Sequence, residues 1–150
     1  MSPQGDDMLN TLQELLERMN EHANVLEAII VKEQEAAHQF DGDALISLME
    51  QRVHAYGELT ELEEQCKALL IAHGASEEMT LETFIDLYTG SEKPQFQSLR
   101  RELYERMLHV EKGNSDNRIR LHAAYDVTTN VLQHVGVMEQ KQTYGPSELK

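Results

Sequence analysis

The sequence of 150 residues predicts an all-α protein, an antiparallel bundle of three long helices with a short helix in the 80–90 connection and a flexible C-terminal tail. Apolar residues recur at alternating steps of three and four in three long stretches, as in helices that bury one face. No stretch alternates apolar and polar residues long enough to indicate a strand. We expect a helical bundle domain at 1–139 and a disordered tail at 140–150.

The first two stretches predict a helical hairpin. The first helix has Asp6 or Asp7 as an N-cap and ends before the break at Asp41-Gly42-Asp43, which offers an N-cap for the second. The second helix ends near Gly74, which suits a left-handed C-terminal cap. Because the connection between these helices is short, we expect them to lie antiparallel.

The third stretch predicts the longest helix. A short amphipathic segment comes first, opened by Thr80 and ended by Gly90, and we expect it to cap the end of the hairpin. Pro94 is well placed in the first turn of the helix that follows. The apolar stripe of this helix runs from Phe96 to Met138.

Polar residues interrupt these stripes at a few positions. Arg52 interrupts the second stripe, and Glu33 lies on or near the first, where we expect it at the edge. Asn114 and Asn117 lie on the third stripe just after Gly113, in a stretch whose composition alone would suit a loop. Because the stripe resumes in phase beyond them, we expect one continuous helix.

The asparagine pair has two interpretations. Buried amides can hydrogen-bond across a bundle and fix its register, and this structural role is the one we favour. In the functional interpretation, the two amides form a polar notch for the backbone of a partner.

The third helix changes in character after the asparagine pair. Only Arg120 and Asp126 are formally charged between Ile119 and Met138, and apolar residues lie off the stripe as well as on it. A helix that is apolar on more than one face needs a second cover, from other helices, a second copy or a partner. The residues that we expect to bind a partner are Asn114, Asn117, Leu121, Val127, Val131, Leu132, Val135 and Met138.

Composition restricts the class of protein. The chain has 13 basic and 27 acidic residues and a formal net charge of −14, which argues against a nucleic-acid partner. It has no apolar run of membrane-spanning length and no signal-like N-terminus, so we expect a cytoplasmic protein that does not insert into the membrane. The single cysteine, Cys66, falls on an apolar stripe and should be a small buried hydrophobe.

No pattern of catalytic residues is present, so we expect neither enzymatic activity nor a cofactor. The one metal-like motif is Glu35-Ala36-Ala37-His38, which has the Glu-x-x-His spacing of di-metal helical bundles. Such a site needs the motif on two helices, and it occurs once here. We therefore expect no metal site.

Four features carry a family resemblance: the helices joined at Asp41-Gly42, the register Leu59-x-x-Leu62-Glu63, the pair Asn114-x-x-Asn117 and the distant Tyr144-Gly145. Together they resemble the FlgN family of flagellar type III export chaperones. The resemblance implies a cytosolic helical protein that binds the C-terminal amphipathic helix of the hook–filament junction proteins FlgK and FlgL. It also implies docking to the export gate protein FlhA through Tyr144 and Gly145.

An alternative function uses the same apolar helix differently. A coiled-coil adaptor or scaffold without chaperone activity would form a homodimer through the segment from Ile119 to Met138. Sedimentation separates the two, since the adaptor would be a stable dimer.

Overall fold

The structure is a computed structural model that describes the backbone of residues 3–134. Side-chain burial is described for residues 5–119 and for His122 and Asn130. Within this part of the chain there are four α-helices and no strand, so the predicted all-α fold class is confirmed. The elements are α1 (Pro3–His38), α2 (Gly42–Ala72), α3 (Leu81–Tyr88), a 3-10 turn (Gly90–Glu92) and α4 (Lys93–His134).

The turn between α1 and α2 forms at the predicted break. Asp41 is the N-cap of α2, and its side chain accepts a hydrogen bond from the backbone N–H of Ala44 at 3.1 Å. The start of α1 differs from expectation, because the helix begins at Pro3 and neither Asp6 nor Asp7 is its N-cap. Proline is favoured in a first helical turn, and Asp6 there interacts favourably with the helix dipole.

The end of α2 and the start of α3 follow the predicted signals. Gly74 adopts a left-handed φ of +103° after α2, and its N–H donates to the carbonyl of Ile71 at 3.2 Å. Thr80 is the N-cap of α3, and its hydroxyl accepts from the N–H of Thr83 at 3.2 Å. Pro94 lies in the first turn of α4, as expected.

The longest helix contains a structural boundary. The chain divides after Asn114 into two units, residues 1–114 and the residues from Ser115 on. The boundary lies inside α4, which is continuous from Lys93 to His134. The expectation of one continuous helix through Gly113 is therefore confirmed.

The core of the first unit is built from the predicted stripes. The side chains of Phe96, Leu103 and Val110 on α4 are buried, and so are those of Leu16 and Leu62 on the first two helices. These are the stripe residues of each helix, so the sequence pattern predicted which face of α4 turns inward as far as Val110.

Cys66 is buried in the same core, which confirms its predicted role as a small hydrophobe. Burial, and then the nearby carboxylate of Glu63, raise the pKa of its thiol to about 11. The thiol is therefore protonated and shielded at neutral pH.

Residues of α1 contact residues of α4 in the same order along both helices. Asn20 Nδ2 donates to the carbonyl of Leu99 at 3.3 Å, and Arg106 Nη1 donates to Glu27 Oε1 at 2.7 Å. Hydrogen bonds to Glu27 and then to Glu102 raise the pKa of Arg106 above its ordinary value. The two helices therefore run in the same direction through the first unit.

Phe40, in the turn after α1, has a left-handed φ of +55°, and its side chain is 79% exposed. A side chain in this left-handed region costs about 1 kcal/mol or more, and glycine avoids the cost. Phe40→Gly should therefore raise the free energy of unfolding by about 1 kcal/mol in chemical denaturation. The control Phe40→Ala keeps the backbone cost, so equal stability of the two variants would contradict the prediction.

Candidate functional site

The described part of the predicted site centres on Asn114, the last residue of the first unit. Its Oδ1 accepts a hydrogen bond from Arg52 Nη1, and its Nδ2 donates to the Tyr56 hydroxyl at 2.8 Å. Both partners lie on α2, so the amide hydrogen-bonds across the helices. The predicted hydrogen bonding of Asn114 across the bundle is therefore confirmed.

The contact extends from α2 to α1 through Arg52. The Nε of Arg52 donates a hydrogen bond to Glu33 Oε2 at 3.3 Å, and its Nη2 donates to Glu33 Oε1. The two residues therefore form a bidentate ion pair. The side chains of Arg52 and Glu33 are 20% and 12% exposed, so most of this pair is shielded from water. We call Glu33, Arg52, Tyr56 and Asn114 the polar network.

The polar network joins three helices at one level of the first unit. Ion pairs shielded from water recover little net stability, because removing the charges from water costs about as much as their attraction returns. Their hydrogen bonds are directional, however, and a shift of α4 along its axis would break the hydrogen bonds of Asn114 with Arg52 and Tyr56. The network therefore acts on the register of α4 more than on total stability.

Sequence reasoning missed three members of the polar network. Glu33 and Arg52 were each noted as charges on a stripe, but they were not paired. A signal was present, since the two residues lie about equally far from Gly42, and such residues face each other in an antiparallel hairpin. Tyr56 lies four residues after Arg52, on the same side of α2.

Gly113, next to the polar network, lets α4 approach α1 closely. A Cβ atom at Gly113 would lie 2.7 Å from Cγ2 of Ile30, a distance that real contacts do not reach. Ile30 is buried and branched at Cβ, so it has little freedom to move away. The glycine that suggested a loop is therefore required by helix packing.

The other predicted partner-binding residues are described only in part. Asn117 is 5% exposed, so it is a buried amide, and Ile119, which lies off the stripe, is exposed. Four more residues lie on the helical backbone of α4, but their side chains fall outside the described residues: Leu121, Val127, Val131 and Leu132. The positions Val135, Met138, Tyr144 and Gly145 lie outside the described residues altogether. The structure thus joins Asn114 to α2 directly and to α1 through Arg52, and the rest of the predicted partner-binding surface stays a prediction.

A separate cavity of about 450 Å³ lies in the first unit where α3 and α4 meet the hairpin. Met19, Leu103 and Met107 line it with apolar surface, and Arg100 and Glu82, whose nearest charged atoms are 3.4 Å apart, lie at the same cavity. Met107 is unbranched and flexible, so it can adapt the shape of this wall of the cavity.

The part of the chain that the structure describes contains no group of three or more His, Cys, Asp or Glu residues placed to hold a metal ion. Glu35 and His38 therefore lack the further ligands that a di-metal site needs among the described residues. None of the helices described here combines the length and the apolar character that a membrane span requires.

Comparison with known proteins gives one match. The sequence model of a family described as FlgN protein matches residues 8–148. No curated protein and no solved structure shows a significant match to the chain. The family match spans both structural units and most of the chain.

The close approach at Gly113 predicts opposite effects at two helical glycines. Gly113→Ala should lower the free energy of unfolding by about 1–3 kcal/mol, because the new methyl group overpacks Ile30. Gly57→Ala should raise it by about 0.5–1 kcal/mol, since a Cβ there meets no atom within 4 Å and alanine favours helix. Chemical denaturation measures both values. If both substitutions stabilised the protein, the packing at Gly113 would be misassigned.

The polar network predicts that substitutions of Glu33 and Arg52 have non-additive effects on the free energy of unfolding. Arg52→Met should lower the free energy of unfolding by about 1–3 kcal/mol, because it removes the ion pair with the Glu33 carboxylate and the hydrogen bond that Arg52 donates to Asn114 Oδ1. Glu33→Leu combined with Arg52→Met should cost less than Arg52→Met alone, since the carboxylate that loses its ion-pair partner is removed with it. Thermal and chemical denaturation of the two variants measure the difference, and a larger loss in the double variant would argue against the pairing.

Proposed function

This chain belongs to the FlgN family, and from this premise we propose that it binds the C-terminal amphipathic helix of the hook–filament junction proteins FlgK and FlgL. FlgN proteins are flagellar export chaperones, so a role of that kind follows from the family. The observation that carries the proposal is the match over residues 8–148, which includes the apolar half of α4 and the tail. A cytoplasmic location and the absence of enzymatic activity are parts of the same proposal.

In this proposal the three long helices form an antiparallel bundle over residues 1–139, followed by a tail at 140–150. Two observations support it. Residues of α1 contact residues of α4 in the same order along both helices. Glu33 and Arg52, which form an ion pair, lie about equally far from the turn between α1 and α2. Such contacts are expected when α1 and α4 run in the same direction and α2 runs in the opposite direction.

The proposed partner surface lies on α4 after the polar network. Formal charges become rare there, and Ile119, at its start, is an exposed apolar residue off the stripe. A partner helix would bury such surface at about 25 cal/mol per Å², less the cost of ordering both chains. The polar network and Gly113 belong to the first unit, so substitutions in the proposed surface leave these packing contacts unchanged.

Docking at the export gate is assigned to the tail. By their match to the family motif, Tyr144 and Gly145 are the residues that would contact FlhA. An aromatic side chain in a polar segment can serve as an anchor, since it buries a large area with few rotatable bonds. Substrate binding and gate docking thus fall on different parts of the chain and can be separated.

Titration with junction-protein peptides tests the proposal. The full-length protein should bind the C-terminal helical peptides of FlgK or FlgL with a Kd of about 10 µM or tighter, roughly −7 kcal/mol. Val131→Ser with Leu132→Ser should weaken binding about tenfold or more, whereas Leu87→Ser, an exposed apolar residue on α3, should not. Absence of binding would count against the chaperone function, and a stable dimer in sedimentation would favour the adaptor instead.

Deletion of residues 139–150 tests the division of roles. The shortened protein should bind the junction peptide as well as the full chain does, while export of the junction proteins falls. Tyr144→Ala in the full chain is the milder variant and should reproduce the export defect. If deletion of the tail abolished peptide binding, the role assigned to the tail would be wrong.

A further inference from the structure

The outer side of α2 carries an apolar stripe that nothing in the described chain covers. Ile46, Met49 and Val53 are 56%, 55% and 67% exposed, although the opposite side of α2 is buried through Leu48 and Ala55. At about 100° per residue, the three exposed side chains fall within an arc of about 60°. They therefore form one continuous strip along two turns of helix.

Gly57 continues this strip by one more turn. It lies four residues after Val53, inside α2, and a Cβ at this position would meet no atom within 4 Å. Glycine weakens a helix interior, and no contact within the described chain accounts for it here. Its use at an exposed position permits another backbone to approach closely. We call Ile46, Met49, Val53 and Gly57 the α2 outer stripe.

Acidic side chains border the α2 outer stripe. Four of them are exposed on this side of the helix: Asp43, Glu50, Glu61 and Glu64. Across α2, all of which the structure describes, Arg52 is directed into the polar network, and the exposed Lys67 lies 3.4 Å from Glu63. The border of the stripe is therefore negative, in a chain whose formal net charge is −14.

The charge distribution selects among possible occupants. A second copy of this chain would bring like charges together around the apolar contact, which opposes association. An amphipathic helix with lysine or arginine beside its apolar face would place opposite charges there instead. The spacing i, i+3, i+7 of the exposed residues is that of helix–helix recognition.

We propose that the α2 outer stripe is a docking site for a basic amphipathic helix of a partner protein. The site is separate from the surface on α4 after Asn117 and does not depend on the function proposed above. The partner helix crosses α2 close to Gly57, and its basic residues face Glu50 and Glu61.

A designed peptide pair tests the site on the full-length protein. The probe is a helical peptide of leucine and lysine of about 18 residues, or five turns, and its counterpart carries glutamate in place of lysine. In NMR titration the lysine peptide should shift the resonances of Ile46, Met49 and Val53. The glutamate peptide should bind at least about tenfold more weakly.

Substitutions separate the stripe from general charge attraction. Ile46→Ser, Met49→Ser and Val53→Ser together should weaken binding of the lysine peptide about tenfold or more. The matched control, Leu87→Ser with Leu108→Ser, removes exposed apolar side chains on α3 and α4 and should change binding less than about twofold. Gly57→Ala should raise the melting temperature yet weaken binding, a combination that a purely structural glycine would not produce.

Four results would overturn the inference. These are equal binding of both peptides, unchanged binding by the triple variant, resonance shifts confined to residues after Asn117, and a dimer in sedimentation that protects the α2 outer stripe. Shifts confined to α4 would leave the function proposed above intact, so the two proposals can fail independently.

Discussion

The close approach of α4 to α1 at Gly113 is the constraint on which the arrangement of the first unit depends. The absence of a side chain there brings α4 against Ile30, and Asn114, one residue later, then meets Arg52 and Tyr56. Packing sets the distance between the helices, and hydrogen bonds set their relative height. Each would be ambiguous alone, because apolar stripes can slide by a turn and hydrogen bonds tolerate some change in distance.

The same residues mark the limit of this unit. The division of the chain falls directly after Asn114, and the sequence loses most of its formal charges a few residues later. A chaperone of the FlgN family has to present apolar surface without losing its own fold. The glycine contact and the polar network both belong to the first unit, and the segment that we propose to bind a partner follows them in the sequence.

Much of the fold could be predicted from local chemistry. Asp41, Gly74 and Thr80 act through hydrogen bonds and dihedral angles within a few residues of themselves, so sequence alone locates the ends of their helices. The roles of Arg52 and Gly113 depend on contacts with Glu33 and Ile30, residues distant in the chain, and the sequence pattern does not record such contacts. The sequence therefore suggested a loop at Gly113 and an interruption of the apolar stripe at Arg52. The early start of α1 was missed because a proline start leaves a weaker signal than an aspartate N-cap.

The buried thiol of Cys66 gives this protein an internal reporter of opening. With a pKa of about 11, about one thiol in a thousand is ionised at pH 8, and the folded chain also covers it. Thiol-labelling reagents would therefore modify the chain mainly during excursions that expose the core. Since Cys66 is the one cysteine in the sequence, the rate of labelling at a single site reports how often α2 separates from its neighbours. Binding of a partner could then be followed as a change in that rate, with no label introduced into the protein.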